Sequence, residues 1–308
     1  MQNGTFVVQG LAGEKKLSGE IKIAGAKNAA LKVMASSILF KDEITLSNVP
    51  EIEDVNRMGD LLSSIGFSVL CPKNNIRVIK PGINISSDLS GNLAKVMRSS
   101  VVLTGPLLAR TGKVFFTNPG GCDLGNRPID LFFEGFEKFG AKISEKNGVY
   151  EVTTENGLKG TEFLFRVQSH TGTETFMMMA VLAKGKTILK NCALEPEVKS
   201  LANFLNSCGA KISGAGTPTI TITGGDLLES NLHVYKTIPD RIETSSFMIL
   251  GALCAKKLTI KNCNPNNVEI VSAILRKAGV NLEIGKKSMT VYGGKTFKVL
   301  WLCIHTWH

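Results

Sequence analysis

A short β-branched or apolar run ending in asparagine occurs four times in this chain. The runs are ITLSN to Asn48, VFFTN to Asn118, TILKN to Asn191 and LTIKN to Asn262, at intervals of about 70 residues. A second landmark keeps the same period. Amphipathic segments end at glycine in LLSSIGFSV (Gly66), FEKFGAKIS (Gly140), FLNSCGAKIS (Gly209) and ILRKAGVNL (Gly279). Glycine closes a helix in the left-handed conformation at little steric cost, after which the chain turns back into a strand. The upstream half of each unit is a second kind of helix: AALKVMASSILF, MRSSVVLTGPLLAR, TETFMMMAVLA and TSSFMILGALCA. These are apolar nearly all round, the pattern of helices enclosed by sheet, and the run Met177 to Met179 is expected in the core. Each unit therefore reads strand, buried helix, strand, second helix, strand, strand. That is an α/β class in which several units must pack around a shared interior.

Composition excludes other classes. The longest wholly apolar stretch, Phe247 to Ala255, is too short to span a bilayer, and no basic patch followed by an apolar segment opens the chain. A cytoplasmic protein without membrane contact is expected. The seven cysteines are scattered and never form a CxxC pair, which fits reduced thiols, most of them small core residues, better than a disulfide framework or a metal site. The net charge of +10 calls for anionic partners. Basic residues are dispersed and aromatics make up 6 %, so no basic stripe with interleaved aromatics points to nucleic acid.

Three segments could carry chemistry. In GEIKIAGAKNAALKVM a strand runs through a glycine turn into a buried helix. Lys27 and Asn28 fall at the helix N-terminus, either as an anion site or as a surface lysine beside a capping amide. In TNPGGCDLGNRPIDLF, Cys122 sits in a glycine-rich loop near Arg127. It is a candidate reactive thiol or proton donor, with Asp123 disfavouring the thiolate, or else an incidental loop cysteine. Arg127, Pro128 and Asp130 then lead into the next helix with groups suited to planar acceptors. The third set is the turns that precede the other buried helices: Arg98, Ser169 to Thr173, and Asp240-Arg241. The repeat places these at corresponding ends of their units, as caps or together as an anion-lined cleft.

GAKNAALKVM, PGGCDLGNRPIDL, EPEVKSLANFL and PDRIETSSF, in that order, resemble the UDP-N-acetylglucosamine 1-carboxyvinyltransferases, from about Leu17 to Gly294. The resemblance implies an inside-out α/β barrel of the enolpyruvyl transferase type, with two domains of three repeats each and an active site in the cleft between them. It also implies transfer of the enolpyruvyl group of phosphoenolpyruvate to the 3′-hydroxyl of UDP-N-acetylglucosamine, the first committed step of peptidoglycan synthesis, on which cell shape and division depend. No cofactor is implied. Carried over by position, Lys27 and Arg127 would bind phosphoenolpyruvate, and Asn28 and Arg98 would contact the nucleotide sugar. Arg127, Pro128, Ile129, Asp130 and Leu131 would hold the uridine end, with Val167, Gln168, Ser169 and His170 against the same nucleotide. Cys122 would be the general acid that protonates the methylene carbon, and the thiol alkylated by a fosfomycin-type epoxide. His170 and Thr171 depart from the Val-Gly more usual at that place.

Four repeats fill the chain, whereas the family has six. The expected organisation is a complete three-repeat domain over residues 21–236, an incomplete second domain from 1–20 and 237–294, and an aberrant tail over 295–308. Trp301, Trp307, His305 and His308 crowd that tail, which reads as a frameshift or premature stop near Lys295, or as a diverged contact segment. The family's general base and further arginines would lie beyond it. Negligible turnover is therefore expected, with a non-catalytic UDP-sugar-binding or regulatory paralogue as the alternative.

Overall fold

A computed structural model describes residues 5, 7–12, 14, 17–95, 97–118 and 129–293. Cys122, Arg127, Pro128 and the tail from Lys295 lie outside the described residues. In chain order the first repeat contains β1 (Leu17–Lys22), α1 (Lys27–Ser36), β2 (Ile44–Ser47), α2 (Glu53–Ser64), β3 (Phe67–Leu70) and β4 (Arg77–Pro81). The second contains β5 (Asp88–Leu89), α3 (Asn92–Lys95), a 3₁₀ segment (Arg98–Leu103), α4 (Thr104–Thr111), β6 (Lys113–Thr117), α5 (Asp130–Lys138), β7 (Lys142–Lys146) and β8 (Val149–Thr153). The third contains β9 (Glu162–Leu164), α6 (His170–Val181), β10 (Lys186–Lys190), α7 (Pro196–Ser207), β11 (Lys211–Ser213) and β12 (Thr219–Thr223). The fourth contains β13 (Val234–Lys236), α8 (Arg241–Cys254), β14 (Ala255–Lys261), α9 (Glu269–Lys277), β15 (Asn281–Ile284) and β16 (Ser288–Tyr292).

Both landmarks of the repeat are backbone devices. Gly66, Gly140, Gly209 and Gly279 all take positive φ just after α2, α5, α7 and α9. Asn48, Asn191 and Asn262 are left-handed at φ 54, 57 and 56. Asparagine tolerates this region because its short amide bonds locally. The amide nitrogens of the three donate to the carbonyls of Thr237, Phe165 and Ile23 at 2.8, 2.8 and 2.7 Å. Each bond ties the end of one strand to the end of its parallel neighbour.

Among the described residues four four-stranded sheets result, ordered β13-β2-β4-β3, β5-β6-β8-β7, β9-β10-β12-β11 and β1-β14-β16-β15. In each, the first two strands are parallel and the rest antiparallel. The middle two sheets follow the linear unit expected from the sequence. The first and fourth repeats exchange opening strands: β1 pairs with β14, and β13 pairs with β2. The chain accordingly divides into one unit over Gly25–Ile238 and another over Met1–Ala24 and Pro239–His308.

In the larger unit the first helices lie inside and the sheets outside. Ala29 to Ser36 of α1 and Gly172 to Val181 of α6 are buried throughout, including all three consecutive methionines. The second repeat departs from the continuous helix expected there. Its buried segment is 3₁₀ over Arg98–Leu103 and becomes α-helical only at Thr104, with Pro106 in the first turn, where a missing N–H costs nothing. At Gly105 a Cβ would lie 2.6 Å from Thr175 Cγ2, so glycine lets α4 approach α6 closely. In the smaller unit α8 differs from its counterparts. Only Thr244, Met248, Gly251 and Ala252 are buried, against a separate small core around Ile23, Ile260 and Val291. Cys192, Cys208 and Cys263 are buried as expected, whereas Cys71 is exposed. No described helix is long and apolar enough to cross a membrane.

Candidate functional site

The start of α1 is fixed by the strands beneath it. A Cβ at Gly25 would fall 1.8 Å from the Asn48 carbonyl oxygen, so only glycine lets the turn lie against the end of β2. The Ala26 N–H donates to the Ile238 carbonyl at 2.7 Å. Ala26 offers no side-chain cap and the first turn carries no acid, which leaves a positive helix end facing Lys27 and Asn28. Lys27 Nζ lies 3.0 Å from Asp54 Oδ2, with both side chains about half exposed. A solvated pair of this kind is worth under about 1 kcal/mol, so the ammonium can turn to a ligand at small cost.

The start of α6 is capped by Ser169, whose Oγ accepts from the Gly172 N–H at 3.0 Å. Thr173 Oγ1 accepts from the Ala193 N–H at 3.1 Å and anchors the first turn beyond β10. Gln168 Nε2 donates to the Cys192 carbonyl, and Val167 is exposed. A Cβ at Gly172 would touch Leu131 Cδ2 and Phe165 Cε1 at 3.1 Å, so the start of α5 packs against the start of α6. Arg166 bonds Asp130 and also lies 3.3 Å from Glu134. Ile129 is buried and leads into α5, while half-buried Arg98 begins the 3₁₀ segment that packs on both α1 and α6.

The structure thus brings Asp130 and Leu131 against Arg166 and Gly172, which flank Val167–His170, and joins α6 to the helix that carries Lys27 and Asn28. Asp240 and Arg241 open α8 in the other unit, where Asp240 acts as a cap, accepting from the Ile242 and Glu243 N–H groups at 2.7 and 3.1 Å. Four further residues are not singled out by the sequence: Asp54, Arg166, Lys32 and Glu174. The last two carry a signal, being the single charges, of opposite sign, in the buried stretches Ala29–Ser36 and Gly172–Val181. Lys32 Nζ and Glu174 Oε2 meet at 3.0 Å between α1 and α6. Among the described residues no cluster of three His, Cys, Asp or Glu side chains could hold a metal. The arrangement offers two helix N-termini with lysine, arginine, amide and imidazole groups, a setting for an elongated polyanionic ligand.

Comparison with known proteins agrees with this chemistry. Residues 11–305 match the family described as EPSP synthase (3-phosphoshikimate 1-carboxyvinyltransferase). The UDP-N-acetylglucosamine 1-carboxyvinyltransferase of Desulforapulum autotrophicum is 41% identical over 288 residues, 93% of this chain and 68% of the relative. That of Idiomarina loihiensis is 42% identical over 275 residues, 89% of this chain and 65% of the relative. The chain therefore spans about two thirds of the length of these relatives. Among solved structures, the enolpyruvyl transferase NikO from Streptomyces tendae superposes with a TM-score of 0.78 at 19% identity, covering 92% of this chain and 67% of that one. An EPSP synthase from Acinetobacter baumannii gives 0.71 at 18% identity, covering 94% and 67%. At these identities the likeness to the solved structures is one of fold.

Proposed function

Because the chain belongs to the EPSP synthase family of carboxyvinyltransferases, and within it to the UDP-N-acetylglucosamine 1-carboxyvinyltransferases, we propose that it transfers the enolpyruvyl group of phosphoenolpyruvate to the 3′-hydroxyl of UDP-N-acetylglucosamine. Phosphate is released, and the product feeds cell-wall assembly in the cytoplasm. The observation that carries the reading is the meeting of the starts of α5 and α6, with Lys32 linking α6 to the helix of Lys27 and Asn28. Lys27 and Arg127 neutralise the phosphate and carboxylate of phosphoenolpyruvate. Asn28, Arg98, Ile129–Leu131 and Val167–His170 hold the nucleotide sugar. The Cys122 thiol protonates the methylene carbon, which builds cationic character on the neighbouring carbon as the sugar hydroxyl attacks it. Fixed cations facing the phosphate stabilise the charge that develops there.

Calorimetry and a phosphate-release assay on the full chain test this. UDP-N-acetylglucosamine should bind, Lys27→Ala should weaken phosphoenolpyruvate binding, and phosphate release, slow in a chain that spans two thirds of its relatives' length, should require both substrates and Cys122. Binding without release supports a second reading, favoured by the two-thirds coverage of the relatives, in which the chain holds the UDP-sugar without chemistry. No binding at millimolar ligand overturns both.

A further inference from the structure

Asparagine followed by glycine is the dipeptide most prone to lose its side-chain ammonia, because glycine leaves its own N–H open to approach. The chain has it three times: at Asn3-Gly4, outside the described residues, at Asn147-Gly148 and at Asn156-Gly157. The two described copies are both exposed, but their settings differ. Asn147-Gly148 is the tip of the β7–β8 hairpin, clamped between the paired Lys146 and Val149, with both residues left-handed at φ 53 and 76. Asn156-Gly157 stands in the connection from β8 to β9, outside any strand. Just after it Leu158 is buried, and its carbonyl accepts from the Lys184 N–H at 2.8 Å, while the Gly160 N–H donates to the Lys184 carbonyl at 2.8 Å. These bonds fix Lys184, in the turn between α6 and β10, beside the dipeptide. Its Nζ donates to the main-chain carbonyl of Asn156 at 3.3 Å. Neighbouring Glu155 is held instead by Lys142 at 2.6 Å. Among the described residues neither the Gly157 N–H nor the Asn156 carboxamide makes a hydrogen bond, so the two groups that must meet are unengaged.

The contact to the carbonyl matters because that oxygen is conjugated to the attacking nitrogen. When hydroxide takes the proton of the Gly157 N–H, negative charge spreads onto the Asn156 oxygen, where the Lys184 ammonium stabilises it. We propose that Asn156 is a self-modifying site, at which the Gly157 nitrogen attacks Asn156 Cγ with Lys184 stabilising the charge that develops. The new N–Cγ bond closes a five-membered imide while the bond from Cγ to the carboxamide nitrogen breaks, and ammonia leaves with a proton returned from water. A water molecule then opens either carbonyl of the imide. One opening gives aspartate, the other isoaspartate with an extra methylene in the main chain; water is consumed, ammonia is released and nothing is oxidised. Either product sets a carboxylate beside Lys184. The isoaspartyl form also lengthens the link between the second and third repeats, next to buried Leu158.

The full chain, incubated at mildly alkaline pH and sampled over weeks, can be digested and followed by peptide mass spectrometry, with enzymatic methylation of isoaspartyl carboxylates to tell the two products apart. Asn156 should convert several-fold faster than Asn147, which serves as the internal reference. Lys184→Met should slow Asn156 about fivefold, the scale of one exposed charge contact, and leave Asn147 unchanged. Lys184→Arg keeps a cationic donor and should keep the rate. A substitution that merely loosened the fold would speed Asn156 rather than slow it, and Lys184→Gln, which drops the charge at similar length, then repeats the comparison. Equal Asn156 rates in the wild type and in both neutral variants overturn the role of Lys184. An Asn156 that converts no faster than Asn147 overturns the site itself.

Discussion

Burial raises the thiols of Cys192, Cys208 and Cys263 and the hydroxyl of Tyr235, and Cys192 and Tyr235 move furthest. Burial pushes the Cys192 thiol from 9.0 up to about 11, and the Tyr235 hydroxyl, paired with Ser200 Oγ at 2.8 Å, from 10.0 up to about 12. Both are neutral when protonated, and both hold their protons more tightly in the folded chain. Below about pH 9 the folded and unfolded chains bind these protons equally, and the two groups add no slope to the stability. As pH rises from 9 through 12 the unfolded chain releases them first, and each group withdraws about 2–3 kcal/mol. Urea unfolding across this range should show the decline, and Cys192→Ala should shrink its earlier part, to which the buried Cys208 and Cys263 thiols also contribute; a profile identical to wild type would contradict the assignment. Legibility differs sharply among residues. The core methionines and the glycine of the GAKN turn are readable because they answer local or purely apolar demands. Lys32 and Glu174 escape because an apolar pattern averages across a single charge, and only the packing of α1 on α6 brings the two together.

Among the elements, the asparagine that ends the second strand of a repeat has two jobs, and substitution can separate them. Asn191 holds φ 57 and donates to the Phe165 carbonyl, joining the ends of β10 and β9. Asn191→Gly keeps the backbone free to turn and loses the bond, a cost of about 1 kcal/mol. Asn191→Ala adds left-handed strain and should cost about 2–3 kcal/mol in all. Chemical denaturation of the two variants should rank them in that order, and equal losses would show that the bond alone matters. These positions and the four glycines are legible because each is a local backbone event repeated at one period. The exchange of β1 and β13 is not. A parallel pairing is a non-local choice, and the period of the sequence is the same whether a repeat's first strand joins its own sheet or another's. The 3₁₀ path of Arg98–Leu103 escapes for a related reason, since its apolar content fits a helix of either kind.

For the molecule as a whole, the same sequence pattern meets two fates. In the Gly25–Ile238 unit the first helices of three repeats bury one another, and Phe176 to Val181 are at most 2% exposed. In the smaller unit α8 is the corresponding helix, and among the described residues no other first helix accompanies it. There Ile249 stands 47% exposed, Leu250 41% and Leu253 52%, next to Ile242 at 52%. Apolar residues on one helix in this number form a patch of the kind that binds hydrophobic dyes and drives association in concentrated solution. The folded chain should therefore enhance the fluorescence of anilinonaphthalene sulfonate and scatter more light as its concentration rises. Leu250→Lys/Leu253→Lys should reduce both signals. Because those side chains lie outside the large core, the double variant should leave the unfolding of the Gly25–Ile238 unit within about 0.5 kcal/mol of wild type. Dye binding unchanged by the two lysines would place the accessible apolar surface elsewhere. A lowered stability of the larger unit would mean that α8 supports it in a way that burial within the small core does not account for.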